Sequence, residues 1–194
     1  MKRCKHVEGN LYEFSSAPIQ ARNRQLAQKL FTEGCEAEET FQIDLALDLY
    51  HRALEYDSHH ADSWMSIGFL EWQNGDPIAA EDCYRKAIDA ASRYPLANFN
   101  LAVCLSNRGE VGEAIIHYLR AIDLEPQYAD AHLNLAHLYS FRAEHQKAIA
   151  HYRLYLRYGD DDPLSRTEAE DKIRKGIEKL AADRNLQSVP RSVA

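Results

Sequence analysis

With 194 residues, 23 Lys and Arg against 30 Asp and Glu, and a formal charge of −7, the chain has the length of one domain and the wrong sign for general binding to phosphate backbones. No run of about 18 apolar residues occurs, and the basic start Met1-Lys2-Arg3-Cys4-Lys5-His6 leads into Val7-Glu8-Gly9-Asn10 rather than an apolar segment, so membrane insertion and export are unsupported. The four cysteines, Cys4, Cys35, Cys83 and Cys104, form no C-x-x-C, which suits reduced thiols in a cytoplasmic setting.

Residues 1–19 hold Gly9, Pro18 and a Ser-Ser pair with no helical period, and are read as a flexible arm. Tyr12 and Phe14 alternate about Glu13, a spacing that would let the arm lie extended in a groove, its own or a second copy's. From Gln20 to about Thr40 the residues Leu26, Leu30, Phe31, Gly34 and Ala37 recur at threes and fours and predict a helix. Between Leu30 and His51 there is no Lys or Arg, while Glu33, Glu36, Glu38, Glu39, Asp44 and Asp48 cluster. Such a run is either a solvated helix face or a landing site for a basic partner.

The dominant feature is a pattern that recurs every 34 residues. Trp64, Ile67, Gly68, Ala80, Tyr84 and Ala87 are answered by Leu101, Ala102, Leu105, Ala114, Tyr118 and Ala121, with Pro126 following. A fixed period of this length marks stacked helix-turn-helix units, because one such pair cannot bury its apolar face without a neighbour. Counting Ala61 as position 1, the frame runs without insertion through four units, 27–60, 61–94, 95–128 and 129–162. Position 8 reads Gly34, Gly68, Ala102, Ala136, position 20 reads Ala46, Ala80, Ala114, Ala148, and position 24 reads Tyr50, Tyr84, Tyr118, Tyr152. Small residues at 8 and 20 allow two antiparallel helices to approach, and the aromatic at 24 fills the space around that contact. Within the units, Asn74-Gly75-Asp76-Pro77 and Arg108-Gly109-Glu110 supply a helix stop and, at Pro77, a helix start.

These residues resemble the tetratricopeptide repeat, whose signature is W-x2-L-G-x2-Y, then A-x3-F, then P over 34 positions. The resemblance implies an all-α, right-handed superhelix of about four repeats. The repeat domain is expected over 20–184, with Asp162 and Pro163 opening a capping helix over 163–184 and a flexible tail at 185–194. Leu164, Ala169, Ile173, Ile177 and Leu180 form the apolar stripe by which that helix would cover the last unit.

The family resemblance also places positions 2, 5, 6, 9, 12 and 13 of each first helix on an inner curve. On this chain that set holds Phe31, Met65, Phe69, Trp72, Phe99, Val103, Leu133, His137 and Phe141, with Ser66, Asn100 and Asn134 at position 6. Positions 5 and 9 are expected not to pack within the helix pair, so their apolar side chains either form an exposed binding groove or bury one another. Consecutive Asn amides can pair with the backbone of an extended peptide whatever its sequence, similar to the asparagine ladder in the superhelix of O-GlcNAc transferase. Because the two amides are expected to face solvent, replacing both Asn100 and Asn134 by Ala should leave the melting temperature unchanged. The carboxylate clamp of chaperone-binding members is not matched: Met65, Phe69, Asn100, Asp130 and Asn134 hold its positions, and only Asn100 fits.

No Gly-rich phosphate loop, H-E-x-x-H or G-x-S-x-G is present, so no catalytic, cofactor or metal residue is assigned and the chain is read as a non-enzyme. Of the nine histidines, His117 and His151 share position 23, His132 and His137 are five apart, and His59-His60 lie in a turn; all are read as surface or groove residues. The expected function is a binding module for a protein or peptide, without direct contact to nucleic acid or membrane. Two rivals stand beside it. Gly9-Asn10-Leu11-Tyr12-Glu13-Phe14 and Leu30-Phe31-Thr32-Glu33-Gly34-Cys35 are similar to the start of the repeat half of bacterial MerR-type regulators, which would make the chain a regulatory piece without its own DNA-binding helices. The other rival is a self-associating scaffold, built through the arm or by docking the acidic first unit onto a basic closing helix carrying Lys172, Arg174, Lys175 and Lys179.

Overall fold

A computed structural model describes residues 13–159 and 163–187. Among them all regular structure is helical: α1 (Glu13–Glu39), α2 (Ile43–Tyr56), α3 (Ala61–Gln73), α4 (Pro77–Ala90), α5 (Pro95–Asn107), α6 (Val111–Leu124), α7 (Ala129–Phe141), α8 (His145–Tyr158) and α9 (Pro163–Gln187). The chain forms two compact units, Met1–Ala91 and Ser92–Ala194. In the first, α1 pairs with α2 and α3 with α4, and α2 packs on α3. In the second, α5 pairs with α6 and α7 with α8, α6 packs on α7, and α9 closes on α8.

Each hairpin is built on the small–small–tyrosine contact anticipated from the repeat. Ala46, Ala80 and Ala114 have no exposed surface, and Tyr50, Tyr84, Tyr118 and Tyr152 are among the largest fully buried side chains. A Cβ on Gly34 would stand 2.5 Å from Tyr50 Cε1, and one on Gly68 would stand 2.7 Å from Tyr84 Cε1, so the tyrosine ring lies in the space that glycine vacates.

All four intra-hairpin turns close alike. Phe41, Gly75, Gly109 and Ala143 occupy position 15 with φ of 59°, 86°, 82° and 57°. Beyond each, the next N–H reaches back to a carbonyl five residues earlier: Gln42 to Ala37, Asp76 to Glu71, Glu110 to Leu105 and Glu144 to Tyr139, each 2.9 Å. This is the helix stop that favours glycine in the left-handed seat. After the second turn Asp76 accepts from the backbone N–H of Ile78 and Ala79, and Pro77 opens α4.

At both ends the structure departs from the reading of the sequence. α1 begins at Glu13 rather than Gln20 and runs through Pro18, so Phe14 is helical, not extended. A proline this near the free end removes little of the hydrogen-bond ladder. The rest of the arm, Tyr12 included, lies outside the described residues, as do Asp162 and residues 188–194. α9 continues to Gln187, and its buried side is not the expected stripe. Leu164 and Ile177 are exposed; Ala169 and Gly176 are buried, with Ile173 and Leu180 half-buried beside them. A Cβ on Gly176 would come within 3.2 Å of Ile149 Cδ1, so a residue without a side chain, invisible to a search for apolar stripes, sets the line of contact.

Candidate functional site

In the first unit, Phe31 is half-buried, its ring 5.6 Å from Tyr50 and 5.2 Å from His60. Met65 is only 6 % exposed and offers almost no surface. Ser66 and Trp72 are half-buried, and Phe69 is exposed. In the second unit, Phe99 meets Tyr118 edge-on at 5.7 Å and stacks on Tyr128 at 4.9 Å. Val103 and Leu133 are half-buried and Phe141 is exposed. Position 5 therefore does pack within the hairpin, contrary to the expectation from the repeat: Phe31 and Phe99 rest on the position-24 tyrosine of their own unit. The aromatic at 24 is wide enough to fill the small–small contact on one side and to support a ring on the other.

Asn100 and Asn134 are both half-buried on α5 and α7. Burial pushes the pKa of the Tyr118 hydroxyl up, and the nearby Asn134 amide offsets part of that shift. On α7, His137 meets Tyr152 edge-on at 5.5 Å, and burial lowers its pKa, keeping the ring neutral at pH 7. His137, Ser140, Phe141 and Tyr152 line a cavity of about 340 Å³ together with Glu168 and Lys172 of α9.

Three histidines lie elsewhere than the sequence reading placed them. His60 is buried and caps α3, accepting from the Ser63 backbone N–H at its Nδ1. His132, also buried, places Nε2 3.1 Å from the Pro126 carbonyl and Nδ1 3.0 Å from Nδ1 of His151. Since Nε2 must donate to the carbonyl, Nδ1 of His132 accepts and Nδ1 of His151 donates. Burial first, and the neighbouring His132 second, push His151 down to about 4. The preceding hairpin repeats the arrangement, with Asn98 Oδ1 3.1 Å from Nδ1 of His117 and the Asn98 amide donating to the Tyr94 carbonyl. Positions 4 and 23 thus face each other; the signal lay in reading those two columns together, where polar pairs replace Leu30 opposite Leu49 and Trp64 opposite Cys83.

Cys83 and Cys104 are buried free thiols and Cys35 is half-buried; burial raises Cys83 to about 11. Among the described residues no group of three His, Cys, Asp or Glu is placed to hold a metal ion, and no helix is long and apolar enough to cross a membrane.

Models of the tetratricopeptide repeat match residues 31–95 and 131–164, and a TPR repeat model matches residues 105–140. No curated protein matches the sequence. Among solved structures, a crystal structure of MamA shares 23% identity and a TM-score of 0.62 over 78% of this chain and 96% of its own. Another MamA protein structure shares 21% identity and a TM-score of 0.65, covering 88% of this chain and 97% of its own. The first TPR of Spaghetti (RPAP3), solved with the HSP90 peptide SRMEEVD, shares 23% identity and a TM-score of 0.57 over 64% of this chain and 96% of that one. At these identities the likeness is one of fold. Hairpins recurring on a 34-residue frame, a tyrosine seated over paired small residues in each, and family models falling on the same frame lead to one conclusion: the chain belongs to the tetratricopeptide repeat family.

Proposed function

We propose that this protein-interaction module holds an extended segment of a partner along α5 and α7 of the second unit, with Asn100 and Asn134 pairing to the ligand backbone. The observation that carries the reading is the recurrence of a half-exposed Asn at position 6 in consecutive hairpins, each amide offering a donor and an acceptor. Phe99, Val103 and Leu133 flank the amides and supply the apolar contacts that a backbone-directed grip lacks by itself. One neighbour of similar fold, the first TPR of Spaghetti (RPAP3), is bound to a peptide, which supports a peptide as the kind of ligand. Aromatic support reaches the site from behind, since Phe99 rests on Tyr118 and Tyr128.

A peptide array probed with the purified full chain tests this. Peptides retained by the wild type are expected to lose about tenfold or more in affinity to Asn100→Ala, roughly 1.4 kcal/mol. Versions of the same peptides with N-methylated central amides should bind as poorly. Retention of the methylated peptides at full affinity would show that the ligand backbone is not what is held.

A further inference from the structure

Every hairpin seats a tyrosine at position 24, but the first and the last treat its hydroxyl differently. In the first, Tyr50 donates to Glu38, at position 12 of the same hairpin, at 2.8 Å. The last has Ser140 at position 12, whose side chain is shorter. Tyr152 is 1% exposed, and no group among the described residues bonds to its hydroxyl, Ser140 included. Burial first, and the Glu168 carboxylate second, push its pKa up to about 12, so the proton stays on and a buried donor is left without an acceptor. Buried polar groups are seldom left in that state, and a group that completes the bond recovers what the orphan costs.

Beside this hydroxyl lies space. The cavity of about 340 Å³ is lined by buried Tyr152 and half-buried His137 and Ser140 within, and by exposed Phe141, Glu168 and Lys172 at its mouth. Neutral His137 brings one donor and one acceptor nitrogen. Lys172 Nζ stands 3.9 Å from Glu168 Oε1, near enough to balance the charge and too far for a hydrogen bond, so both keep bonding capacity for a guest.

The mixture selects by chemistry. A carboxylate would be set against Glu168, an ammonium against Lys172, and an alkyl group would leave the Tyr152 hydroxyl unpaired. A primary carboxamide is neutral and carries both functions: its carbonyl oxygen accepts from Tyr152 and Lys172, and its two N–H groups serve Glu168 and the acceptor nitrogen of His137. Asn134, His137 and Phe141 follow one another at three and four along α7, on one face, so a segment paired with Asn134 passes the mouth of the cavity within about a helical turn.

We propose that this cavity is a carboxamide pocket, which receives a Gln or Asn side chain of the partner segment held along α7. The source of the side chain rests on the reading given above; the chemistry of the pocket does not.

The test follows the His137 ring signals by NMR in the full chain while N-acetyl methylamides of glutamine, glutamate, lysine and norleucine are added. The glutamine probe is expected to bind about tenfold or more tighter than the other three. Ser140→Gln, which supplies a carboxamide from within, should abolish the glutamine response and raise the melting temperature. Tyr152→Phe, which loses the hydroxyl alone, should lower the preference for glutamine over norleucine about tenfold without lowering the melting temperature. Equal binding of the four probes, or a glutamine preference unchanged in Tyr152→Phe, would overturn the pocket. The source is read separately with the capped pentapeptide Ala-Ala-Gln-Ala-Ala, expected to bind about threefold or more tighter than capped glutamine because its backbone reaches Asn134. Binding no tighter than that of the single residue would overturn the assignment to a partner segment and give the pocket to a free amide.

Discussion

At the scale of single residues, the hairpin interior leaves little room for adjustment. Gly34→Ala drives a Cβ to 2.5 Å from a fully buried tyrosine ring, and a loss of roughly 1–3 kcal/mol in urea denaturation is the expected result. Phe41→Gly moves the other way, by about 1 kcal/mol, because it removes a left-handed non-glycine residue and no buried surface. Asn100→Ala and Asn134→Ala are expected to behave alike in thermal melts. Both side chains are half-buried on the first helices of their hairpins, and the melting temperature of each variant should stay near that of the wild type. Columns 8, 20 and 24 were legible in the sequence because packing dictates their residue type in every unit. The resting of Phe31 and Phe99 on the tyrosines of their own units was not legible, since the residue at position 5 differs from unit to unit.

At the scale of elements, helix pairing followed from the 34-residue frame, while the contact line of α9 did not. A search for apolar stripes counted Leu164 and Ile177 and passed over Gly176, yet close approach to Ile149 is what lets the helix lie on α8. Polar contacts between α7 and α8 add a pH dependence to this end of the chain. The folded pKa of His151 is lowered to about 4 from an ordinary value of 6.5, so as pH falls the unfolded chain takes the proton first. Stability contributed by the neutral ring is complete above about pH 6.5 and is lost progressively between there and about pH 4, to a total of roughly 1–3 kcal/mol. Denaturant melts at pH 7, 5 and 4 check this, and His151→Leu, which cannot take up a proton, should flatten the profile.

At the scale of the whole molecule, repetition explains why the fold could be read and the partner could not. Each hairpin restates the same packing instructions, so errors in one unit are outvoted by the others. Surface columns obey no such rule and differ from unit to unit. The net charge of −7 still constrains what the surface can meet: gel-shift titration with random DNA at low salt is expected to show no complex.

The common closure of the four turns has a consequence for how such a chain can change. Two main-chain hydrogen bonds hold each bend, and they form with Phe, Gly or Ala in the seat alike. Whatever side chain is mounted there projects from a finished piece of architecture, as on a bracket. New molecular partners can therefore be courted at the bends, one substitution at a time, without reopening the interior.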